Sequence, residues 1–127
     1  MAQGILGLVR DLFFSSRIGE TAKALAYPCF FARTEAEFFS RLGSTGPGLL
    51  IVDLTATGLD LKSFFDALEA EGQGVPVLGF TTHALWRTTS PVHGRCRKVV
   101  TKETLASELP AILQGFLGGP AAPEPRP

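Results

Sequence analysis

The sequence predicts an α/β domain with a five-stranded parallel sheet and helices on both faces. Three observations support this fold class. Short apolar runs alternate with amphipathic segments in five rounds along the chain. The central run, residues 49–52, is apolar throughout, which is typical of a parallel strand buried on both faces. The length of 127 residues suits one domain.

The strands are predicted from the apolar runs, at residues 5–9, 29–32, 49–52, 75–80 and 99–100. The first helix is expected to begin after a cap at Ser15 or Ser16 and to end near Ala26, because helices end before the residue that precedes a proline. The second helix is expected to begin after Thr34, with Glu37 completing a capping box. It should end before Gly43.

The later helices are less regular. Asp60 is predicted to cap the third helix, whose apolar residues recur at helical spacing. Residues 81–95 predict at most one or two helical turns. The last helix has two interpretations: Ser107 caps it and Pro110 lies in its first turn, or it begins at Thr104 and is kinked by Pro110.

Composition argues against several function classes. Lys and Arg number 12, as do Asp and Glu, so the basic excess of a nucleic-acid-binding protein is missing. No apolar run approaches the roughly 20 residues of a membrane span. Cys29 and Cys96 have no zinc spacing and are expected to be reduced thiols. Without a recognisable signal peptide, we expect a cytoplasmic protein. The folded domain should cover residues 1–117, and residues 118–127, rich in Gly, Pro and Ala, should form a disordered tail.

Polar residues follow four of the five predicted strands, namely Arg10 and Asp11, Asp53, Thr81 and Thr82, and Lys102. In parallel sheets, the carboxyl ends of the strands form the ligand site. A central carboxylate with a second carboxylate, a hydroxyl and a lysine is typical of a phosphoryl acceptor, in which the carboxylate is the nucleophile. Carboxylates at such a site can also hold Mg²⁺.

These features resemble the bacterial response-regulator receiver family over residues 4–117. Three segments carry the resemblance and place its phosphoacceptor, hydroxyl and lysine: residues 50–60 with Asp53, residues 75–81 with Thr81, and residues 99–102 with Lys102. The resemblance implies a receiver-like, flavodoxin-like doubly wound fold and a role in two-component signalling. Lys102 is expected to form a salt bridge with Asp53, because both are predicted to lie at adjacent strand ends and no metal competes for the carboxylate.

The sequence departs from the family pattern where phosphorylation is concerned. The family usually has two acids after the first strand, whereas here Arg10 precedes Asp11. Val99 stands at the position of the switch aromatic, and Thr82 at a position that is usually small. Asp11 and Asp53 carry two negative charges, which Arg10 and Lys102 balance. Mg²⁺ binding through Asp11 and Asp53 should therefore be weak or absent, and no other cofactor is expected. Arg10 could point inward and replace the cation, or outward to solvent.

The sequence therefore favours an atypical receiver, or pseudo-receiver, that is not an enzyme and acts by protein–protein interaction without phosphorylation. One alternative is a phosphorylatable receiver, which accepts phosphate on Asp53 from a histidine kinase with Mg²⁺. Another is a flavin carrier, since residues 15–21 faintly resemble a phosphate-binding loop. The family resemblance implies contacts through helix 4, strand 5 and helix 5, with a protein partner or a second copy. Trp86 and Arg87 are the expected contact residues, unless Trp86 covers the core.

Overall fold

The computed structural model describes residues 4–71 and 74–118, in which strand and helix alternate five times. The strands are β1 (Ile5–Leu8), β2 (Cys29–Ala32), β3 (Leu49–Asp53), β4 (Val77–Thr81) and β5 (Lys98–Thr101). The helices are α1 (Leu12–Ala24), α2 (Glu35–Thr45), α3 (Leu61–Glu71), α4 (Trp86–Thr89) and α5 (Lys102–Leu117). A 3₁₀ helix (Ser90–Arg95) continues α4. The expected tail lies outside the described residues from residue 119 onward.

All strand pairs are parallel, in the order β2-β1-β3-β4-β5. The predicted fold class is confirmed. Buried residues of α1 and α5 pack on one face of the sheet, and those of α2, α3 and the 3₁₀ helix pack on the other. Each fully buried Phe or Leu contributes about 1.5–3 kcal/mol through removal from water. The chain adds β2 on one side of β1 and then β3, β4 and β5 on the other side. The switch point of the sheet therefore lies between β1 and β3, and in such sheets ligands bind at the carboxyl ends of the strands beside this point.

The first two helices differ from their predicted bounds. Asp11, not Ser15 or Ser16, caps α1, because its carboxylate accepts hydrogen bonds from the backbone N–H groups of Phe13 and Phe14. The chain then leaves α1 through Ala26, which has a positive φ of 66°. Thr34 caps α2 as predicted, but the helix runs past Gly43 and ends at Gly46, in the left-handed conformation.

The last helix begins earlier than either interpretation expected. Thr101 caps α5 by accepting a hydrogen bond from the Thr104 N–H. The kink expected from Pro110 is present, since Glu108 has non-helical angles of φ −122° and ψ 18°. Among the helices that the structure describes, none is both long and apolar enough to cross a membrane.

Candidate functional site

Asp53 is the last residue of β3 and is 4% exposed. Its burial follows from the central position of β3, which lies between β1 and β4. Oδ1 of Asp53 accepts hydrogen bonds from the backbone N–H (2.9 Å) and the hydroxyl (2.6 Å) of Thr55. These two bonds orient the carboxylate and offset part of the cost of burying it.

Arg10 joins two loops at the same edge of the sheet. Its Nε donates to the carbonyl of Arg33 at 2.9 Å, and one terminal nitrogen donates to the carbonyl of Thr57 at 2.6 Å. The flat guanidinium fork suits two carbonyls presented together. Arg10 is exposed and does not pair with Asp53, so of the two expected directions it takes the outward one, with its guanidinium held by two carbonyls. It links the loop before α2 to the loop between β3 and α3.

Asp11 and Lys102 form the ion pair of this site. Oδ1 of Asp11 caps α1, and Oδ2 lies 3.9 Å from Lys102 Nζ. Lys102 Nζ also lies 5.7 Å from the centre of the Phe14 ring. The expected pairing of Lys102 with Asp53 is therefore wrong in this structure. Each carboxylate accepts hydrogen bonds through Oδ1 only. The lysine lies beside the partly exposed carboxylate of Asp11 and not beside the buried one of Asp53.

Thr81 is fully buried at the end of β4 and belongs to a chain of polar groups that sequence reasoning missed. The Thr89 hydroxyl lies 3.2 Å from the Thr81 hydroxyl and 2.8 Å from Nε2 of His93. Burial lowers the pKa of His93, which favours the neutral ring. No spacing in the sequence signals this chain, because its members lie on a strand, α4 and the 3₁₀ helix.

Thr82 has a local role. Its hydroxyl accepts a hydrogen bond from the Leu85 N–H at 3.1 Å and shapes the turn that leads into α4. The predicted site residues Arg10, Asp11, Asp53, Thr81, Thr82 and Lys102 all lie at or just after the carboxyl ends of the strands. Their hydrogen bonds go to different partners: Arg10 holds two loops, Asp11 caps α1 and pairs with Lys102, and Thr81 joins the buried hydroxyl chain. Asp53 bonds to Thr55, and Thr82 bonds to Leu85.

The expected interaction residues lie next to this edge. Trp86 is 40% exposed, and its ring meets the His93 ring edge-on at 4.7 Å between centroids. Arg87 is exposed. Trp86 thus packs against the 3₁₀ helix with one part of its ring, and the rest of the ring is exposed to solvent. Val99 is half-buried and packs against the cluster on the α2 and α3 face, so no aromatic ring occupies the switch position.

In the segment before β5, Arg95 is half-buried, whereas Arg97 is exposed. Arg95 donates to Asp66 at 2.8 Å and pairs with Glu69 at 3.0 Å, which ties the 3₁₀ helix to α3. Burial raises the pKa of Cys96 to about 11 and that of Cys29 to about 12. Both thiols are free, and neither forms a reactive thiolate at neutral pH.

Asp11 and Asp53 are the two carboxylates that could hold a divalent cation at this site. Within residues 4–71 and 74–118, no three His, Cys, Asp or Glu side chains come together as metal ligands. One oxygen of each of the two carboxylates already accepts hydrogen bonds. Mg²⁺ takes six oxygen ligands in near-octahedral geometry, but several of these are usually waters and one or two carboxylates suffice. The cationic side chains of Arg10 and Lys102 at this edge oppose the entry of a cation.

Comparison with known proteins supports the fold. No family model and no curated protein matches the sequence. NtrX from Brucella abortus superimposes with a TM-score of 0.78 at 18% identity, over 92% of this chain and 27% of that chain. The chain therefore spans about a quarter of NtrX.

The chain aligns with the full length of two other solved structures. The chemotaxis response regulator CheY4 of Vibrio cholerae has a TM-score of 0.78 at 16% identity, over 92% of this chain and 100% of CheY4. The receiver domain of sensor histidine kinase PA1611 from Pseudomonas aeruginosa has a TM-score of 0.74 at 21% identity, over 94% and 100% of the two chains. Its structure contains a magnesium ion coordinated in the active-site cleft. These likenesses show that the chain has the receiver fold.

Proposed function

We propose that this chain, which has the fold of response-regulator receivers, is a pseudo-receiver of two-component signalling. It is not an enzyme, and it acts by protein–protein interaction without phosphorylation of Asp53. The observation that carries the proposal is the bridge from Arg10 to the carbonyls of Arg33 and Thr57. The positively charged guanidinium of Arg10 is thereby held at the carboxyl ends of the strands. A phosphoryl acceptor needs a divalent ion at this end of the sheet.

The electrostatics of the site support this proposal. Moving Arg10 aside would break two hydrogen bonds that have a charged donor. Because these bonds are exposed, each is worth about 1 kcal/mol or less. With Arg10 in place, an approaching cation meets like charge, and this repulsion should weaken as the salt concentration rises. Asp11 and Asp53 balance Arg10 and Lys102 in formal charge, so the site needs no metal for neutrality.

The proposed interaction face consists of α4, β5 and α5, with Trp86 and Arg87 as its contact residues. Exposed Trp and Arg are the residue types most enriched at binding hot spots. Because Val99 replaces an aromatic switch, this face should have the same shape whether or not Asp53 is modified. Its partner is another protein or a second copy of the chain. The net charge of zero argues against nucleic acid.

The alternative is a phosphorylatable receiver. Four residues favour it, because Asp11, Asp53, Thr81 and Lys102 lie at one edge of the sheet. The PA1611 receiver domain, which has the same fold, holds magnesium in its cleft. In this alternative Arg10 would swing away. The Asp53 carboxylate would attack the phosphorus of a phosphohistidine on the kinase, and a P–O bond would form as the P–N bond breaks. The imidazole that leaves would take up a proton.

Acyl-phosphate formation separates the two functions. The chain is incubated with Mg²⁺ and a small-molecule phosphodonor, and intact-mass spectrometry detects the product. We expect no phosphate on the wild-type chain. Arg10→Asp, which removes the bridge and adds a carboxylate, should gain Mg²⁺ binding and labelling that depend on Asp53. Arg33→Asp is the matched control, since it makes the same charge change but keeps the Arg33 carbonyl. Labelling of wild-type Asp53 would overturn the proposal in favour of the alternative.

The interaction face has its own test. Trp86→Ala with Arg87→Ala should abolish association in sedimentation and pull-down assays, with thermal stability as the control for folding. Because Trp86 contacts His93, Arg87→Glu alone serves as a variant that leaves the packing intact. Leu12→Ala with Phe13→Ala removes comparably exposed apolar surface elsewhere, as these side chains are 69% and 55% exposed. Association lost in this second pair but kept in the first would move the interface to α1.

A further inference from the structure

Within the proposed interaction face, a groove lies between the amino end of β5 and the last turns of α5, away from the carboxyl ends of the strands where Asp53 lies. Lys98 is the first residue of β5, and Phe116 lies in the last turn of α5. Between them is a cavity of about 420 Å³, within the size range of ligand sites. Ile112 and Phe116 line its apolar part, and Arg97 and Lys98 line it from the strand side. We call these four residues the β5 groove.

The kink in α5 borders this groove. Glu108, the residue with non-helical angles, lines the cavity together with Ile112 and Phe116. In sequence, the kink follows from Pro110. The residue at which α5 departs from helical geometry therefore forms part of the groove wall.

The main chain beside the groove is open on one side. β5 is an edge strand. The carbonyls of Pro76 and Phe80 bond to β3, so the alternate residue Gly79 faces β5. Gly79 is in register with Val99, and in a parallel pair it bonds to the residues on either side of its partner. The N–H and C=O of Val99 therefore face away from the sheet.

We propose that the β5 groove binds an extended segment of a protein partner, which adds to β5 as a sixth strand. One apolar side chain of that segment enters the cavity against Ile112 and Phe116, and an acidic side chain pairs with Arg97 and Lys98. Main-chain hydrogen bonds to Val99 supply affinity, while the cavity and the two cations supply specificity. This inference rests on the proposed function only in that the chain acts by protein contacts.

Charge decides between an acidic partner and a second copy. Arg97 and Lys98 are both exposed and contribute two positive charges, against one negative charge from Glu108. Parallel pairing of β5 with β5 of another copy would bring these cations together, and like charges across strands are destabilising. Lysine on an edge strand is also a known device against self-pairing. The same charges attract a segment that carries carboxylates.

The test starts from the full chain and a displayed library of random peptides of about ten residues, enough for one strand and its flanks. We expect the enriched sequences to alternate apolar and acidic residues. NMR of the complex should show slowed exchange of the Val99 amide and shifts at Ile112 and Phe116. Lys98→Glu should weaken binding about tenfold or more, whereas Lys23→Glu, the same change on exposed α1 surface, should not.

Three outcomes would overturn the inference. They are enrichment of basic or proline-rich peptides, failure to enrich any peptide, and shifts that map to Trp86 instead of Val99. Concentration-dependent self-association that Lys98→Glu abolishes would also assign the groove to a second copy. The result is separable from the proposed function: phosphorylation of Asp53 would overturn that function but leave peptide binding at β5 intact. Conversely, association through Trp86 and Arg87 can persist when no peptide binds the groove.

Discussion

The guanidinium of Arg17 donates a hydrogen bond of 2.7 Å to the carbonyl oxygen of Ala106. In a regular helix that carbonyl would accept from the N–H of residue 110, but Pro110 has none. Arg17 of α1 thus replaces the donor that α5 lacks. The Ala106 carbonyl therefore keeps a hydrogen-bond donor despite the kink. The same hydrogen bond links α1 to α5, in addition to the packing of their apolar faces.

Replacing Arg17 with Met should therefore lower the free energy of unfolding by about 1 kcal/mol. In a Pro110→Ala background the same change should cost less, because the restored backbone N–H can serve the Ala106 carbonyl. Chemical denaturation of the four proteins of this double-mutant cycle measures the difference. Lys23→Met, another exposed change on α1, is the control and should have little effect. Equal losses in both backgrounds would show that Arg17 does not serve the orphaned carbonyl.

Ala26 offers a stabilising change. It holds φ at 66° where the chain leaves α1, while Tyr27 N–H bonds back to the Ala22 carbonyl. Glycine adopts this left-handed conformation without strain. Ala26→Gly should raise the free energy of unfolding by about 0.5–1 kcal/mol. The matched change Ala24→Gly, inside the last turn of α1, should lower it by a similar amount. A loss of stability in Ala26→Gly would contradict this reading of the turn.

Stability should fall in mild acid because of His93. Burial holds the pKa of His93 below its ordinary value, so the unfolded chain takes up a proton first as the pH falls. Stability that is fully present above about pH 6.5 is then lost below it. As the pH is lowered from neutral to the acid pH at which the chain unfolds, the melting temperature should fall less in His93→Gln than in the wild type. His83→Gln is the control, because the His83 side chain is 82% exposed; an equal effect in this variant would exclude His93 as the cause.

The ion pair predicts a specific pattern of coupling. Lys102 lies 3.9 Å from Asp11, and both side chains are partly exposed. A cycle of Lys102→Met with Asp11→Asn should give a coupling of about 0.5 kcal/mol, while Lys102→Met with Asp53→Asn should be additive within the error of the measurement. Asn keeps the helix cap, so Asp11→Ala should cost about 1 kcal/mol more than Asp11→Asn. Stronger coupling to Asp53 than to Asp11 would restore the pairing that was expected from the sequence.

The fold follows from the sequence because its signals are local and repeated. Each strand is an apolar run, and the caps at Thr34 and Asp60 are read directly from residue type and spacing. The start of α1 was missed for a physical reason. Leu12 and Phe13 are apolar but exposed, so the helix extends beyond its apolar face, and Asp11 caps it in place of the serines. Residues 15–21 consequently lie inside α1, which removes the basis of the flavin-carrier alternative.

The positions of the site residues were predictable, but their partners were not. Strand order and the carboxyl ends of the strands bring Asp11, Asp53, Thr81 and Lys102 to one edge. Which oxygen meets which donor depends on side-chain directions that no periodicity encodes. The Arg10 bridge requires two carbonyls from loops far apart in sequence, and the contact of Thr89 with Thr81 requires the turn formed after β4. Such contacts arise only once the chain has folded.

The peptide unit at Arg33 is held from both sides. Its N–H donates to the carboxylate of Glu37 in α2 at 2.9 Å, and its carbonyl accepts from Arg10. Arg10 in turn holds Thr57, so the first turn of α2 and the loop after Asp53 form one connected hydrogen-bonded unit. These two segments should therefore open together and not separately. We therefore expect the loop after Asp53 to open only when the first turn of α2 opens. Its mobility should follow the free energy that is needed to unfold that turn.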